Sequence, residues 1–464
     1  MEDADGGRNF KLRKNMNCEV KYSMKRIIIE NFGPIRKIDL PFDQNYNIII
    51  GQQASGKSTI AKAVYFCSKV KDYLIEYATT KELLFSVHEN EIFISFIKHL
   101  RRKFMGCFGT TKHMNSFSIK MYYDEKDNTY ILIKQNSHGY ADIFFSEKLK
   151  SDIIDLLDSS RAIYNQFDAV VQTLMDRYKT QTHVVDLVGK QVHSIFKDDT
   201  DVLYIPAGRI LLSTLSEQLT SVKTNELDLP MQEFVDIIRG MRADFSTRIN
   251  DIVKNYTKTV TGQINNSNVN RAIQIIQTIL RGEYVCDKDG EKIFFDEDHW
   301  VKLMYSSSGQ QESLWILMIM FSYILRGRKA FVILEEPEAH LFPEAQKHIV
   351  EMIALFCNST NSTVCITTHS PYVLTSLNLL IHSYLVENKY DVPAHECVVP
   401  KQLRVNPETV MANMIRVQDG QSDLIAIHND YGMIDAYQID EISEIINEET
   451  SKLFDLEIDN DDES

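Results

Sequence analysis

Cysteine is scarce in this 464-residue chain: seven, an odd number, at positions 18, 67, 107, 286, 357, 365 and 397, with no CxxC spacing. That excludes a disulfide framework and a cysteine zinc site, and makes the cytoplasm the expected compartment. A long apolar run is also missing. The most apolar stretch, Leu314 to Leu325, is too short for a bilayer and contains Ser322 and Tyr323, so it predicts a buried core helix and no membrane partner. Residues 1–23 mix charged and polar side chains without an apolar centre, which fits a flexible extension rather than a secretory signal. Basic residues are not in excess either. The net charge of −15 argues against a broad, nonspecific grip on nucleic acid. With 44% hydrophobic residues, the chain still has the material for a sizeable core and an insertion.

What is present is concentrated in a few segments. Residues 51–59 read GQQASGKST and fit the phosphate-loop pattern G-x-x-x-x-G-K-[ST] at Gly51, Gly56, Lys57 and Ser58. The β-branched run Tyr46 to Ile50 precedes it and the helix-compatible Ile60 to Val64 follows, so the context is strand, loop, helix. In such a loop Gly51, Gln52, Gln53, Ala54, Ser55 and Gly56 present successive backbone N–H groups to phosphate oxygens, aided by the helix dipole. Lys57 reaches the β- and γ-phosphates, Ser58 offers its hydroxyl to magnesium and Thr59 bonds a neighbouring phosphate. A glycine-containing surface turn also fits the bare pattern.

Further along, Ala330 to Leu334 reads as a buried parallel strand ending in Glu335 and Glu336. A strand delivering carboxylates beside a phosphate loop suits magnesium, a hard cation that prefers oxygen, with Glu335 on the metal side and Glu336 as base for an attacking water. Two acids before Pro337 also describe a solvated strand end. The β-branched strand Ser362 to Thr368 leads into His369, placed to bond a γ-phosphate and hold the water, or to serve as an ordinary hydrogen-bonded histidine. Before these, Tyr305 to Glu312 reads YSSSGQQE and opens the apolar run from Leu314. Serines and a glycine at a helix start make an anion-binding cap, and equally an ordinary N-cap.

The series GQQASGKST, YSSSGQQES, FVILEEPEAHLFPEA, CITTHSPYVL resembles the ABC-type ATPase heads of the SMC, RecF and OLD superfamily, and within it the OLD-like ATPase subunits of bacterial anti-phage systems such as PARIS and Septu. The opening RIIIENFGPI at 26–35 is similar to their first strand and turn. The resemblance implies an α/β fold: an ABC-type ATPase head with a mixed β-sheet, an antiparallel β subdomain and a short helical insertion. It implies ATP and Mg2+ as cofactors, Glu335 and Glu336 as the Walker B carboxylates, Pro337 to Pro343 as a dimer-facing loop and His369 as the switch histidine. Ser306 to Gln310 would be the signature, with Ser307 and Gly309 contacting in trans the nucleotide held by another copy. Two departures stand out: Glu335 replaces the Asp usual in transporter heads, and the signature reads SSSGQ rather than LSGGQ. No Q-loop glutamine is placed.

The implied activity is ATP hydrolysis by a head-to-head dimer or higher oligomer, acting as sensor or scaffold for a separate effector, a nuclease or toxin, in anti-phage defence, with DNA or a phage protein as trigger. The alternative is a RecF-like module that clamps DNA, for which Lys98 to Lys103 (KHLRRK) is the best local basic cluster; such clusters are more often solvated helix faces. Arg209, after the strand Asp201 to Pro206, is a candidate phosphate or partner contact. The segment 370–464 lacks a Glu-then-DxD pattern on apolar strands, and Asp459 and Asp461 have no strand context, so a nuclease within this chain ranks last. The acidic tail, Asp435 to Ser464, predicts solubilising disorder.

Expected organisation is an extension at 1–23, an amino-terminal lobe at 24–146 with a meander from Phe117 to Phe145, a largely helical insertion at 147–280 in which 201–206 returns to the head, a carboxyl-terminal lobe at 281–400 and a tail region at 401–464. A hairpin is predicted at Tyr284 to Phe295, turning at Asp289-Gly290, and a polar break at Asn265 to Asn270. At 1.5 Å per residue the insertion makes an arm on the order of tens of ångströms, a short lid or dimerisation arm and not a long coiled coil.

Overall fold

The computed structural model describes residues 25–80, 89–168, 174–214, 227–259, 265–389, 398–418, 421–428, 432–435 and 451. The extension at 1–23 and Asp459 to Glu463 lie outside the described residues, as do Cys18 and Cys397. In chain order, β1 (Arg26–Phe32) and β2 (Ile35–Pro41) make a hairpin, and β3 (Tyr46–Gly51) feeds α1 (Lys57–Ala78), followed by α2 (Glu89–Phe108). The meander is β4 (Ser118–Asp124), β5 (Thr129–Gln135) and β6 (Ala141–Phe145), and α3 (Glu147–Asp168) and α4 (Leu174–Phe196) lead to β7 (Asp201–Ile205). Helices α5 (Ile210–Thr214), α6 (Leu229–Arg242), α7 (Ile249–Thr259) and α8 (Asn266–Leu280) precede the small sheet β8 (Glu283–Asp287), β9 (Gly290–Phe294) and β10 (Trp300–Lys302). The last part runs α9 (Ser308–Arg326), β11 (Ala330–Glu335), α10 (Pro343–Thr360), β12 (Thr363–Thr368), α11 (Pro371–Lys389), β13 (Val410–Gln418) and β14 (Gln421–Ala426).

The central sheet has six strands in the order β14-β13-β3-β12-β11-β7. All its pairings are parallel except β13 with β14. Strands buried on both faces need apolar side chains on both, which is why β11 is apolar up to Glu335 and β3 is apolar but for Asn47, whose amide donates to the Gln44 and Val364 carbonyls. One apolar cluster packs α8, α9 and α10 against one face through Ile48, Ile50, Val332 and Leu334. The other face, through Ile49, Ile333 and Cys365, meets α1. Beyond α1 lies a five-stranded antiparallel sheet, β2-β1-β4-β5-β6, whose strands alternate buried and half-exposed side chains. Helix α1 therefore sits between two sheets, which explains why its apolar residues run all round it. The expected α/β class, mixed sheet and antiparallel sheet are all present.

Other expectations change. The polar run at Asn265 is no break, because the Asn265 side chain accepts from the Asn268 N–H and caps α8. Helices α3 and α4 are no free arm where described: Leu149, Ile153, Val188, Val192 and Phe196 belong to the same core as α1. The 401–464 region supplies β13, paired in parallel with β3 from Val410↔Tyr46 to Ile415↔Gly51. Its sequence, VMANMIRVQ, carries Asn413 and Arg416 and does not read as a core strand. Among the described residues, Cys67, Cys107, Cys286, Cys357 and Cys365 are free thiols, and no helix is long and apolar enough to cross a membrane.

Because Ile415 is buried at the register position beside Gly51, Ile415→Ala is expected to cost about 2–5 kcal/mol. Urea unfolding checks this; an unshifted midpoint would mean that β13 contributes nothing to the central sheet.

Candidate functional site

Parallel register brings three strand ends to one edge: Thr368 of β12 pairs with Ile50 of β3, and Glu335 of β11 with Thr367. Ligand sites in open α/β sheets form outside these carboxyl ends. The chain leaves β3 at Gly51, where an added Cβ would lie 2.7 Å from Ser55 Oγ and 3.0 Å from the Ile415 carbonyl oxygen. It enters α1 through Gly56 at φ +104°, where a Cβ would stand 3.0 Å from Ile35 Cγ1 and 3.2 Å from Pro34 Cγ. Both positions need glycine, one for close approach and one for backbone conformation as well. The Ser55 N–H donates to the Gln52 carbonyl at 3.3 Å, and Gln52, Gln53 and Ala54 stand exposed above it.

Lys57 is buried beneath this loop, its Nζ donating to the carbonyls of Gly51 and Gln52 at 2.8 Å each. Burial lowers its pKa, and the carboxylates of Glu336, Glu338 and Glu335 oppose that shift. A cavity of about 720 Å³ is lined by Pro34, Gln53 to Thr59, Glu336 and His369. The loop residues, Lys57, Ser58, Glu336 and His369 thus share one space.

Glu335 closes β11 with its carboxylate buried. One oxygen accepts from the Ala207 N–H at 3.4 Å, and the other, Oε1, makes no hydrogen bond of normal length, although the buried Tyr204 hydroxyl, itself without one, interacts with this carboxylate. A buried carboxylate oxygen left so is costly unless a cation or water meets it. Glu336 adopts φ +43°, a left-handed conformation that costs a non-glycine residue about 1–2 kcal/mol. Its N–H donates to the Thr367 carbonyl at 2.9 Å, and its carbonyl accepts from Ala339 N–H at 3.1 Å. Its carboxylate lies 3.6 Å from His369 Nδ1.

Glu338 and Pro34 were not singled out as site residues. The Glu338 Oε1 accepts from Thr368 Oγ1 at 2.6 Å and from the His369 N–H at 3.0 Å, and it lies 3.7 Å from His369 Nδ1. Its Oε2 is buried without a protein partner. The third acid in EEPE was the available sign, because residues on either side of a turn proline can face the same space. Ser370 Oγ in turn donates to Gln346 Oε1 at 2.6 Å, fixing the start of α11.

The remaining candidates separate. Ser307 caps α9 through a capping box with Gln310, and Gly309 follows. Both line a different cavity, of about 800 Å³, with Arg281, His340 and Phe342. They do not join Lys57 within one chain. Arg209 is not a phosphate or partner contact: it is fully buried, with its guanidinium bonded to backbone carbonyls and paired with Glu312. The basic cluster lies on α2, where Arg101 pairs with Asp142 at 2.8 Å and Lys103 with Glu76 at 2.9 Å, so two of its cations are met from within the chain. Among the described residues, no group of three or more His, Cys, Asp or Glu side chains forms a metal cage.

A short stretch is 34% identical over 50 residues to the DNA replication and repair protein RecF of Lactobacillus acidophilus, covering 11% of this chain and 13% of that protein. Another is 32% identical over 62 residues to RecF of Pasteurella multocida, covering 12% and 17%. The chain therefore spans less than a fifth of the length of these relatives. Among solved structures it is similar to the SMC head domain from Thermotoga maritima, with a TM-score of 0.36 and 11% identity over 88% of this chain and 100% of that one. It is also similar to the Smc head bound to the C-winged helix domain of ScpA, with a TM-score of 0.40 and 11% identity over 88% and 98%. A far broader match, over residues 24–374, is to the AAA ATPase domain. The chain belongs to that family of ATPase domains.

Proposed function

We propose that the cavity between residues 51–59 and Glu336 binds ATP with magnesium and hydrolyses it, in an assembly where copies of the chain complete one another's sites. The observation that carries this is the placement of Glu336, held in a left-handed turn 3.6 Å from His369 in the cavity they share with the phosphate loop and Lys57. Backbone N–H groups from Gln53 to Thr59 and the start of α1 receive the phosphates, and Lys57 leaves its loop carbonyls for the β- and γ-phosphate oxygens. Ser58 and Glu335 would hold a magnesium ion, a hard cation suited to their oxygens. When bound, the ion neutralises phosphate charge as it develops. Glu336 orients and deprotonates the attacking water, and His369 holds the γ-phosphate side of it, with Glu338 fixing the His369 backbone.

Ser307 and Gly309 open into a cavity of their own, beside the exposed ring of Phe342. Facing the nucleotide of a second copy gives this helix start an anion, and gives the exposed aromatic side chain a cover. On the strength of EEPEAHLFP and TTHSPYVL, the assembly is read as a sensor or scaffold controlling a separate effector protein in anti-phage defence, triggered by DNA or a phage protein. The RecF-like alternative, supported by short matches, needs a cationic face. The cluster on α2 pairs Arg101 and Lys103 internally, which weighs against it.

Two expected outcomes test the reading. Gly56→Ala puts a Cβ against Pro34 and Ile35 in a conformation unfavourable by about 1–2 kcal/mol, so ATP affinity is expected to fall about tenfold in calorimetry. Glu336→Gln is expected to lower turnover about 10²-fold or more while keeping ATP bound, the range for loss of a general base. Mass by light scattering should then show an ATP-dependent larger species, more persistent in the variant. Wild-type protein that neither hydrolyses ATP nor changes mass with it would sink the proposal.

A further inference from the structure

Between the end of β7 and α5 lies the turn Pro206 to Arg209, whose Ala207 N–H and Arg209 guanidinium bond to Glu335 and Glu336 at the end of β11. Arg209 is 0% exposed and its ion partner Glu312, in the second turn of α9, is 1% exposed. The Arg209 Nε donates to the Glu312 carbonyl at 2.8 Å. Its Nη1 donates to the Pro206 and Glu335 carbonyls at 2.6 and 2.8 Å, and its Nη2 to the Glu336 carbonyl at 2.9 Å. The Glu312 carboxylate accepts from the N–H groups of Arg209 and Ile210 at 3.1 and 2.9 Å. Ala207 N–H meets the Glu335 carboxylate. A rigid planar fork is thereby bonded at once to β7, to the first turns of α9 and to the bend at Glu336.

A buried ion pair is a poor device for stability, because desolvation cancels most of its attraction. Geometry is what this one fixes. The Glu336 turn is strained and persists only where its surroundings over-determine it, and Arg209 holds the carbonyls on both sides of that bend. A second contact runs the same way: a Cβ on Gly309 would lie 3.0 Å from the carbonyl oxygen of His340, itself at φ +59°, so the start of α9 leans directly on the loop after Glu336.

We propose that Arg209 and Glu312 are a positioning pair that ties the start of α9 to Glu336 of the same chain, so that loading Ser307 and Gly309 with a partner's nucleotide sets the chain's own water-activating carboxylate. This rests on the reading above that Glu336 acts on water and that α9 faces a second copy. Each chain then reports the occupancy of one shared site to the other, and turnover follows assembly more steeply than nucleotide binding does. Neither residue touches substrate; both act through Glu336.

The test uses the full chain with Glu312→Gln and Arg209→Lys, which keep side-chain length and part of the hydrogen bonding, and a urea unfolding midpoint for each variant separates a positioning effect from simple unfolding. ATP affinity by calorimetry, mass with ATP by light scattering, and kcat and KM across protein concentration are measured for each. Expected are ATP affinity, KM and assembly within about threefold of wild type, with kcat at least about tenfold lower and no longer rising as copies assemble. A merely structural pair would instead move affinity, assembly and kcat together, or leave all unchanged in variants with wild-type unfolding midpoints. Either of those results overturns the proposal. Wild-type protein whose turnover is independent of assembly overturns both this inference and the shared-site reading beneath it. A wild type that behaves as expected beside variants with normal kcat overturns only the inference.

Discussion

Parallel pairing of β3, β12 and β11 in one register is the constraint on which everything else in this molecule depends. It sets Ile50 beside Thr368 and Thr367 beside Glu335, so the chain must leave all three strands at the same edge. The turns there are the phosphate loop, the Glu335 to Pro343 bend and the His369 turn. None could be moved by one residue without swapping the buried and site-facing side chains of its strand. Helix α1, bearing Lys57 and Ser58, is accordingly locked between two sheets.

Legibility in the sequence follows the range of the interaction. The phosphate loop is local: glycine positions, lysine and hydroxyls lie within GQQASGKST, and the close approaches at Gly51 and Gly56 explain its glycines. Glu335, Glu336 and His369 were readable because an apolar strand announces its own end. Ser307 was readable as a cap, since a capping box is confined to four residues. The rest is set by distant partners. Arg209 looks like an exposed cation until Glu312 and the carbonyls of Glu335 and Glu336 close around it. Strand β13 carries polar residues because it sits near the sheet margin, and only its pairing with β3 makes it core. In the cluster on α2, Arg101 and Lys103 are met by Asp142 and Glu76, acids far away in sequence. Glu338 is hidden in the same way, its role given by Thr368 and His369 from another strand.

Charged side chains are concentrated under the catalytic edge in an unusual density for a protein interior. Lys57, Arg209, Glu312, Glu335 and Glu338 are all buried. For Arg209 and Glu312 every strong bond is made within the chain, and the pair is a fixed part of the scaffold. For Glu335 and Glu338 one oxygen each makes no hydrogen bond of normal length. That contrast divides the cluster into groups that shape the site and groups with bonding capacity to offer. In a low-dielectric setting such capacity interacts strongly with whatever charge is brought to it.

The strain at Glu336 then acquires a reason. A carboxylate on a regular strand would point into the sheet's face, toward α1 or toward α9. Turning the backbone left-handed at the first residue past β11 instead swings Glu336 across to His369, over the space that the phosphate loop encloses. The cost of about 1–2 kcal/mol is met by bonds to Thr367, Ala339 and Arg209, which come from three separate elements. A bend maintained from several sides is sensitive to displacement of any one of them. One of them is the start of α9, which Arg209 ties to the bend and whose Ser307 and Gly309 line an open cavity. If α9 meets a second copy as proposed, that contact reaches Glu336 through Arg209, and turnover rather than nucleotide affinity is the quantity it would set.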